Sequence, residues 1–342
     1  MKSDLPKVLH QVGGRAMMDW AIAAAKDACV SRIIVVVGTH SPQVHEHAAK
    51  ALGADAVAVQ QQALGTAHAV RAAEAALAGF DGDVAVLYAD TPLVTGERIN
   101  LLFETRAKSG GIAVLGFEAA NPFGYGRLIT DGAGKLERIV EEKDANANER
   151  AVKLCNSGVI AVEVSVLLSL LAQVKNENAK GEYYLTDVIG LGRAAGIPST
   201  IVMGDETEVL GVNARGELAQ AEASFQARAR AAAMAAGVTM IDPNTVYFSY
   251  DTEIANDVVI EPNVYFGPGV KIAKGARIKA FCHFEGAEIG EGANVGPSAR
   301  LRPGTKLGAG VKIGNFVEVK NATFGPKAQA SHFAKRWAAK EA

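Results

Sequence analysis

An apolar residue recurs at every sixth position through the last third of the chain. The pattern slips by one position after the first of two series: Ile254, Ile260, Phe266, Ile272, Ile278, Phe284, then Ile289, Val295, Leu301, Leu307, Ile313, Val319. A six-residue period excludes an α-helix, and the strands of a sandwich would place turn signals about 8–12 residues apart. The pattern therefore predicts a left-handed parallel β-helix of hexapeptide repeats over residues 238–332, with the apolar residues inside.

The first two hundred residues instead alternate strand-like and helix-like segments. Apolar residues follow helical spacing over residues 16–29 and 42–52, and an alanine-rich helix is predicted at 67–79. Apolar, β-branched runs at residues 32–38, 56–59 and 84–88 lie between these helices. Strands that are apolar throughout and separated by helices favour a parallel sheet covered on both faces. The pattern predicts an α/β domain over residues 1–213, with a Rossmann-like, mostly parallel sheet.

Two further segments have patterns of their own. Residues 214–237 are rich in alanine, glutamate and arginine and lack proline, which predicts a continuous helix linking the domains. In the tail, residues 333–342, Phe333 and Trp337 lie four positions apart among alanines and charged residues. This spacing predicts a short amphipathic helix that caps the last coil, although a disordered tail fits the same residues equally well.

Composition narrows the class of protein. A net charge of −2 over 342 residues gives no electrostatic argument for binding nucleic acid or an anionic membrane. No apolar stretch is long enough to span a bilayer, and the charged N-terminus lacks the apolar core of a signal peptide. The three cysteines are far apart in sequence. We therefore expect a cytoplasmic protein with reduced thiols.

Seven short segments carry the candidate chemistry. They are residues 3–9 (SDLPKVL), 60–69 (QQQALGTAHA), 87–93 (LYADTPL), 124–127 (GYGR), 139–144 (IVEEKD), 156–158 (NSG) and 211–213 (GVN). In this order they resemble the N-acetylglucosamine-1-phosphate uridyltransferase family. The repeats behind them resemble the same family's glucosamine-1-phosphate acetyltransferase half, so that the resemblance covers about residues 1–332.

The resemblance implies uridylyl transfer from UTP to N-acetylglucosamine 1-phosphate with Mg²⁺, giving UDP-N-acetylglucosamine. It places Mg²⁺ on Asp90 and Asn213, an oxygen pair that suits a hard metal. It also places Lys7 against a phosphate, as a point charge. Judged without the resemblance, Asp90 is equally well explained as the start of a turn in Asp-Thr-Pro.

The remaining substrate residues are also assigned by the resemblance. Gln60, Gly65 and Thr66 would contact the uracil, with glycine allowing close approach and threonine capping the following helix. A simple strand-to-helix turn is the alternative for this segment. Four residues would complete the substrate site, the last three of them around the acetylglucosamine group: Tyr88, Gly126, Glu141 and Asn156.

The acetyltransferase half is implied by three residues at the family's spacing. These are Arg302, Lys320 and His332, with His332 as the general base, a task suited to a pKa near neutrality. Beyond His332 the sequence departs from the family's pattern for acetyl-CoA, so we expect most of that co-substrate's site to be missing and acetyl transfer to be lost. Family members are homotrimers through the β-helix, of which we expect about four coils here.

The family also opens with a strand and a glycine-rich loop, Leu-Ala-Ala-Gly-x-Gly-Thr-Arg-Met, and Met1 stands where that motif's methionine would be. Such a loop would cradle the triphosphate, so we expect this chain to have little or no activity. A late start codon or a fragment would account for the beginning. Two rivals remain: a nucleotidyltransferase for another sugar 1-phosphate, and a non-catalytic sugar-nucleotide-binding or scaffold protein.

Overall fold

A computed structural model describes residues 1–331 and the backbone of 335–337. The chain divides into two compact units. The first comprises Met1–His10 and Ala16–Ala221, and the second comprises Gln11–Arg15 and the residues from Glu222 onward. The division falls inside the long helix that the sequence predicts at 214–237.

The helices and the strands of the first two-thirds of the chain follow the predicted alternation. The helices are α1 (Met17–Asp27), α2 (Pro42–Leu52), α3 (Thr66–Ala72), α4 (Gly96–Ser109), α5 (Ala147–Arg150), α6 (Val164–Leu171), α7 (Asp187–Ala194) and α8 (Arg215–Ala235). The strands are β1 (Gln11–Val12), β2 (Arg15–Ala16), β3 (Val35–Gly38), β4 (Val57–Gln60), β5 (Asp83–Val86), β6 (Ile112–Glu118), β7 (Gly126–Thr130), β8 (Leu136–Val140), β9 (Leu154–Glu163) and β10 (Ser199–Met203).

The main sheet of the first unit has the order β10-β6-β9-β7-β8, and β5 also pairs with β9. Strands β5, β6 and β7 are each antiparallel to β9, and β10 is parallel to β6, so these four strands run in one direction. The Rossmann-like α/β sheet is therefore confirmed, with four of its six strands in one direction, although β8 and β9 run the other way and only the β10–β6 pairing is parallel. β3 and β4 form a separate parallel pair.

A cavity of about 630 Å³ separates that pair from β5. Its walls come mainly from apolar side chains of the two strand regions and of α1, including Ile34, Val36, Val84 and Val86. All four residues of β5 are consequently only half-buried, although β9 on its other side is largely buried. The cavity is thus a local gap in the packing between the β3–β4 pair and the main sheet.

Helix α3 ends earlier than the sequence predicts. It stops at Ala72, and a 3-10 helix, Glu74–Leu77, follows. The turn at Ala73 allows Ala73 and Leu77 to be buried together against Val164. The prediction of one continuous helix over 67–79 is therefore wrong, because this packing outweighs the helical preference of alanine.

Short strands repeat through the second unit. They are β11 (Thr239–Met240), β12 (Val246–Tyr247), β13 (Glu253–Ile254), β14 (Val259–Ile260), β15 (Val264–Phe266), β16 (Lys271–Ile272), β17 (Arg277–Ile278), β18 (His283–Phe284), β19 (Ala287–Ile289), β20 (Asn294–Val295), β21 (Arg300–Leu301), β22 (Thr305–Leu307), β23 (Lys312–Ile313), β24 (Glu318–Lys320), β25 (Thr323–Phe324), β26 (Gln329–Ala330) and β27 (Lys335–Trp337).

Every third strand pairs in parallel, which forms three sheets of six, six and five strands among the described residues. The predicted β-helix is confirmed, but the expectation of about four coils is too low. Ile254 pairs with Ile272, 18 positions later, whereas Ile272 pairs with Ile289, 17 positions later. That shorter coil is the slip in the apolar period. Inside, Phe266 stacks on Phe248 at a centroid distance of 5.4 Å, and Phe284 packs against Phe266 at 5.8 Å with its ring tilted by 53°.

The described part of the tail is a strand. Lys335–Trp337 pairs in parallel with Glu318–Lys320, so the predicted helix is wrong at these residues. The last complete coil exposes backbone N–H and C=O groups along its edge, and a strand satisfies them where a helix would not. The remaining tail positions, 333–334 and 338–342, lie outside the described residues. Among those described, no helix combines the length and apolar character needed to cross a membrane.

Candidate functional site

Polar residues converge where β5 ends and β7 begins, on the same side of β9. β5 pairs with β9 as far as Val86 opposite Ile160, and β7 pairs from Gly126 opposite Asn156. The short stretch of β9 between these pairings therefore faces an opening rather than a neighbouring strand. Ligands bind at such places, beyond the carboxyl ends of strands in open α/β sheets.

Gly158 and Tyr88 form the floor of this opening. Gly158 has a φ of +92°, and a Cβ there would lie 2.7 Å from the Tyr88 ring. The Gly158 N–H donates to Asn156 Oδ1 at 3.0 Å, which fixes the orientation of the Asn156 amide. Burial, and secondarily Glu141, raise the pKa of Tyr88 to about 12, so its hydroxyl stays protonated.

Glu141 lies on the opposite side, directly after β8. Its Oε1 accepts a hydrogen bond from the Thr186 hydroxyl at 3.1 Å, and burial raises the pKa of the carboxyl. A Cβ at Gly126 would be 3.6 Å from that same oxygen, so glycine leaves room beside the carboxylate. The arrangement offers a carboxylate and an amide to a neutral, hydroxyl-rich ligand.

An ion pair next to Gly126 and Glu141 holds these two residues in place. Arg127 is 1% exposed, and its Nη2 lies 2.6 Å from Glu142 Oε2. Arg127 also donates to the Tyr125 carbonyl. Because Arg127 follows Gly126 and Glu142 follows Glu141, the pair holds the start of β7 against the end of β8.

Lys7, Asp90 and Asn213 meet at one point in the first unit. The Lys7 Nζ donates to Asp90 Oδ2 at 2.6 Å and to Asn213 Oδ1 at 2.8 Å. The Val212 N–H donates to the Asp90 carbonyl at 2.8 Å, which couples the two loops. Both oxygens already converge on a cation, so they fit a hard metal that keeps most of its waters. No group of three or more His, Cys, Asp or Glu residues forms a metal cluster within the described chain.

The segment between β4 and α3 is held by contacts from elsewhere in the first unit. Gln60 Nε2 donates to the Gly65 carbonyl at 3.1 Å and contacts His68 Nδ1 at 3.0 Å. At Gly65, with φ +111°, a Cβ would come within 2.5 Å of the Tyr183 carbonyl oxygen. The glycine is therefore needed for the fold of this turn, whatever it binds.

Thr66 does not cap α3, contrary to the sequence-based expectation. It is the first residue of the helix and makes no capping hydrogen bond there. Its hydroxyl accepts instead from the Leu185 N–H at 3.0 Å. The Thr66 hydroxyl is therefore hydrogen-bonded to the segment just before α7 rather than to the backbone of its own helix.

The predicted acetyltransferase residues belong to the second unit. Arg302 lies 3.3 Å from Glu318 Oε1, and Lys320 lies on the next coil, in β24. His332 lies outside the described residues, so the structure says nothing of its position.

Three structural roles were missed by sequence reasoning. Thr186 orients Glu141, the Gly158 backbone orients Asn156, and the Arg127–Glu142 pair supports the pocket. Gly158, Arg127 and Glu142 belong to the segments that carry the resemblance, but the Asn156–Gly158 turn and the pairing of Arg127 with Glu142 have no signal in the residue types alone. Thr186 follows two tyrosines in a segment with no local signal.

Comparisons with known proteins agree with this architecture. Residues 1–152 match the MobA-like NTP transferase domain, and residues 251–286 and 286–321 match the bacterial transferase hexapeptide model. The bifunctional protein GlmU of Maricaulis maris is 55% identical over 255 residues, 75% of this chain and 56% of that protein. GlmU of Hyphomonas neptunium is 54% identical over 263 residues, 77% of this chain and 57% of that protein. This chain therefore spans little more than half the length of these relatives.

Solved structures show the same fold at much lower identity. A UDP-glucose pyrophosphorylase complexed with UDP-glucose superposes with a TM-score of 0.52 at 17% identity, covering 66% of this chain and 92% of that one. A nucleoside-diphosphate-sugar pyrophosphorylase from Vibrio cholerae RC9 gives 0.52 at 16% identity, covering 65% and 93%.

Proposed function

We propose, since the chain is a relative of the bifunctional GlmU proteins, that its first unit serves uridylyl transfer from UTP to N-acetylglucosamine 1-phosphate. The observation that carries the proposal is the opening between β5 and β7. There a protonated Tyr88, the oriented amide of Asn156 and the Glu141 carboxylate surround a space floored by glycine. A sugar with hydroxyl and acetamido groups matches this set of donors and acceptors.

The residues divide the work by their chemistry. Asp90 and Asn213 would hold Mg²⁺, which offsets the negative charge of the phosphates when it is bound. Lys7 adds a positive charge beside the same phosphates. Glu141 and Asn156 hold the sugar in one orientation. This orientation places the phosphate of the sugar against the phosphates of UTP in the geometry that the reaction needs. Gln60, Gly65 and Thr66 would contact the uracil, and the donor Gln60 Nε2 helps to shape that turn.

For the second unit, we propose that the coils of the β-helix carry the residues of a second site. Arg302 and Lys320 would belong to an acetyl-transfer site that uses acetyl-CoA, with His332 as its base. Three further statements stay predictions: that acetyl transfer is lost, that the chain forms a homotrimer through the β-helix, and that the protein is cytoplasmic. Neither the glucose- or mannose-type transferase nor the scaffold reading gains a specific observation in its favour.

Pyrophosphate release from UTP tests the proposal, with N-acetylglucosamine 1-phosphate and glucose 1-phosphate as rival acceptors. We expect release to be slow, to prefer the acetylated sugar and to disappear in Asp90→Asn. Equal rates with both sugars, or a rate that Asp90→Asn leaves unchanged, would overturn the proposal. A rate typical of enzymes would contradict only the expectation of low activity.

A further inference from the structure

The Lys7 ammonium occupies the point where the two candidate metal ligands converge. Its distances of 2.6 Å to Asp90 Oδ2 and 2.8 Å to Asn213 Oδ1 are those of charge-assisted hydrogen bonds. Lysine is a donor without any acceptor, so a protonated Lys7 cannot itself be a ligand of a metal ion. A metal ion held between these same two oxygens would lie where the ammonium now lies, so Lys7 must move before the metal can bind there.

Hydrogen bonds within the first unit order the backbone on both sides of this contact. Lys7 opens a 3-10 helix directly after Pro6, and the Leu9 N–H donates to the Pro6 carbonyl at 3.0 Å. The Asp90 and Asn213 loops are joined by the Val212 hydrogen bond, and the Asn213 and Ala214 N–H groups both donate to Glu217. The backbone that carries both oxygens is thus held in place, and the Lys7 side chain is 35% exposed, so solvent and a phosphate can reach it.

We propose that Lys7 is an internal competitor of the divalent cation, occupying the Asp90–Asn213 oxygens until the metal arrives with nucleotide phosphates. The inference rests on the proposed function and adds an order of events to it. With Lys7 in place, the charges of Lys7 and Asp90 cancel, and a bare metal ion must displace a positive charge that then lies close by. Coulomb repulsion at such a distance opposes binding.

Nucleotide phosphates remove the repulsion between Lys7 and the metal ion. They give the displaced ammonium a new anionic partner and supply further oxygens to the metal. Metal and nucleotide therefore bind with positive coupling, and by linkage each strengthens the other equally. Lys7 is a positioning residue in this scheme, since it sets when the metal binds as well as where the phosphate lies.

Mn²⁺ binding measured by electron paramagnetic resonance tests the exchange without any turnover. Lys7→Met removes the charge and keeps the length of the side chain. Without nucleotide it should bind Mn²⁺ roughly fivefold more tightly than the wild type, the fold-change that corresponds to a strong exposed ion pair. Adding UTP should then strengthen Mn²⁺ binding less in Lys7→Met than in the wild type. Lys7→Arg, which keeps the charge, should not gain affinity.

Lys26→Met is the matched control, because Lys26 is an exposed lysine on α1 without a role in this contact, and thermal melts establish that each variant is folded. Unchanged or weaker Mn²⁺ binding by folded Lys7→Met overturns the competition. Asp90→Asn separates the two proposals, since it should lose Mn²⁺ binding altogether. If Asp90→Asn binds Mn²⁺ like the wild type, the metal site of the proposed function fails instead.

Discussion

Gly158 illustrates how one residue sets the shape of the candidate sugar pocket. Gly158→Ala would place a Cβ 2.7 Å from the Tyr88 ring and force a side chain into φ +92°. Gly53→Ala is the matched control, with φ +95° and nothing within 4 Å. Both should lose about 1–3 kcal/mol of unfolding free energy from backbone strain.

Only Gly158→Ala should also weaken binding of UDP-N-acetylglucosamine, by at least about tenfold, because the ring or the Asn156 amide must move out of a geometry held to fractions of an ångström. Calorimetric titration checks the affinities, and denaturant unfolding checks the stabilities. Equal affinities in the two variants would show that Tyr88 and Gly158 do not shape the binding site.

Asp187 predicts a pH dependence of stability. Burial, and then Glu141 and Asp144, raise the pKa of Asp187 to about 6 in the folded protein. A raised acid pKa contributes stability that is present below the unfolded pKa and is lost as the pH rises through the folded value. Asp187→Asn should therefore match the wild type near pH 4 and exceed it at pH 7. Partial exposure and the position at the start of α7 reduce the gain to about 1 kcal/mol.

Thermal melts of the two proteins across this pH range provide the measurement. Asp131→Asn serves as a control of opposite sign, because backbone hydrogen bonds, chiefly from Lys135, lower the pKa of Asp131. That variant should lose stability relative to the wild type as the pH rises to about 5, and the difference should stay constant above that pH. A constant difference between Asp187→Asn and the wild type from pH 4 to 7 would contradict the assignment.

At the residue scale, the sequence indicated which side chains belong to the candidate site but not which residues they hydrogen-bond with. Asp90 and Asn213 were paired in advance through the resemblance, and the structure brings both to Lys7. The link between Thr186 and Glu141 was not foreseen. Nothing in either local segment reports a hydrogen bond between residues so far apart, and their roles toward substrate stay predictions.

At the scale of elements, the cavity beside β5 gives a stability prediction. Ala85 of β5 and Ala113 of β6 both lie directly opposite Ala161 of β9, but only Ala85 also lines the cavity. Ala85→Val should fill empty space and stabilise the protein by about 1 kcal/mol. Ala113 is fully buried, so Ala113→Val should overpack the sheet and cost about 1–3 kcal/mol.

The two variants share any gain from the strand preference of valine, so their difference reports packing alone. Denaturant unfolding of both checks the prediction. A destabilised Ala85→Val would mean that the gap beside β5 closes in solution.

Elements were predictable where a period reflects geometry directly. The hexad repeat indicated the β-helix because one apolar residue per face must point inward, and the first of the 17-residue coils is visible in the sequence as the slip. The break in α3 and the strand at Lys335–Trp337 were not predictable. Both depend on partners distant in sequence, Val164 for the first and the open edge of β24 for the second.

At the scale of the whole molecule, the folds of the two units were predictable from different patterns in the sequence. The fold of each was readable from alternation or period, and the family models match both. The boundary was less readable, since the division falls within α8 and residues Gln11–Arg15 belong to the second unit. A continuous helix gives no sequence signal for the point at which its packing partner changes.

We propose that the opening between β5 and β7 recognises an acetylated sugar on a uridine nucleotide. Calorimetric titration of the 342-residue chain with UDP-N-acetylglucosamine and with UDP-glucose tests it most directly. We expect UDP-N-acetylglucosamine to bind at least about tenfold more tightly, because polar groups placed for the acetamido group are left unpaired by glucose. We also expect Asn156→Ala to remove most of this difference. Equal affinity for the two sugars, or no binding of either, would show that this opening is not the sugar site.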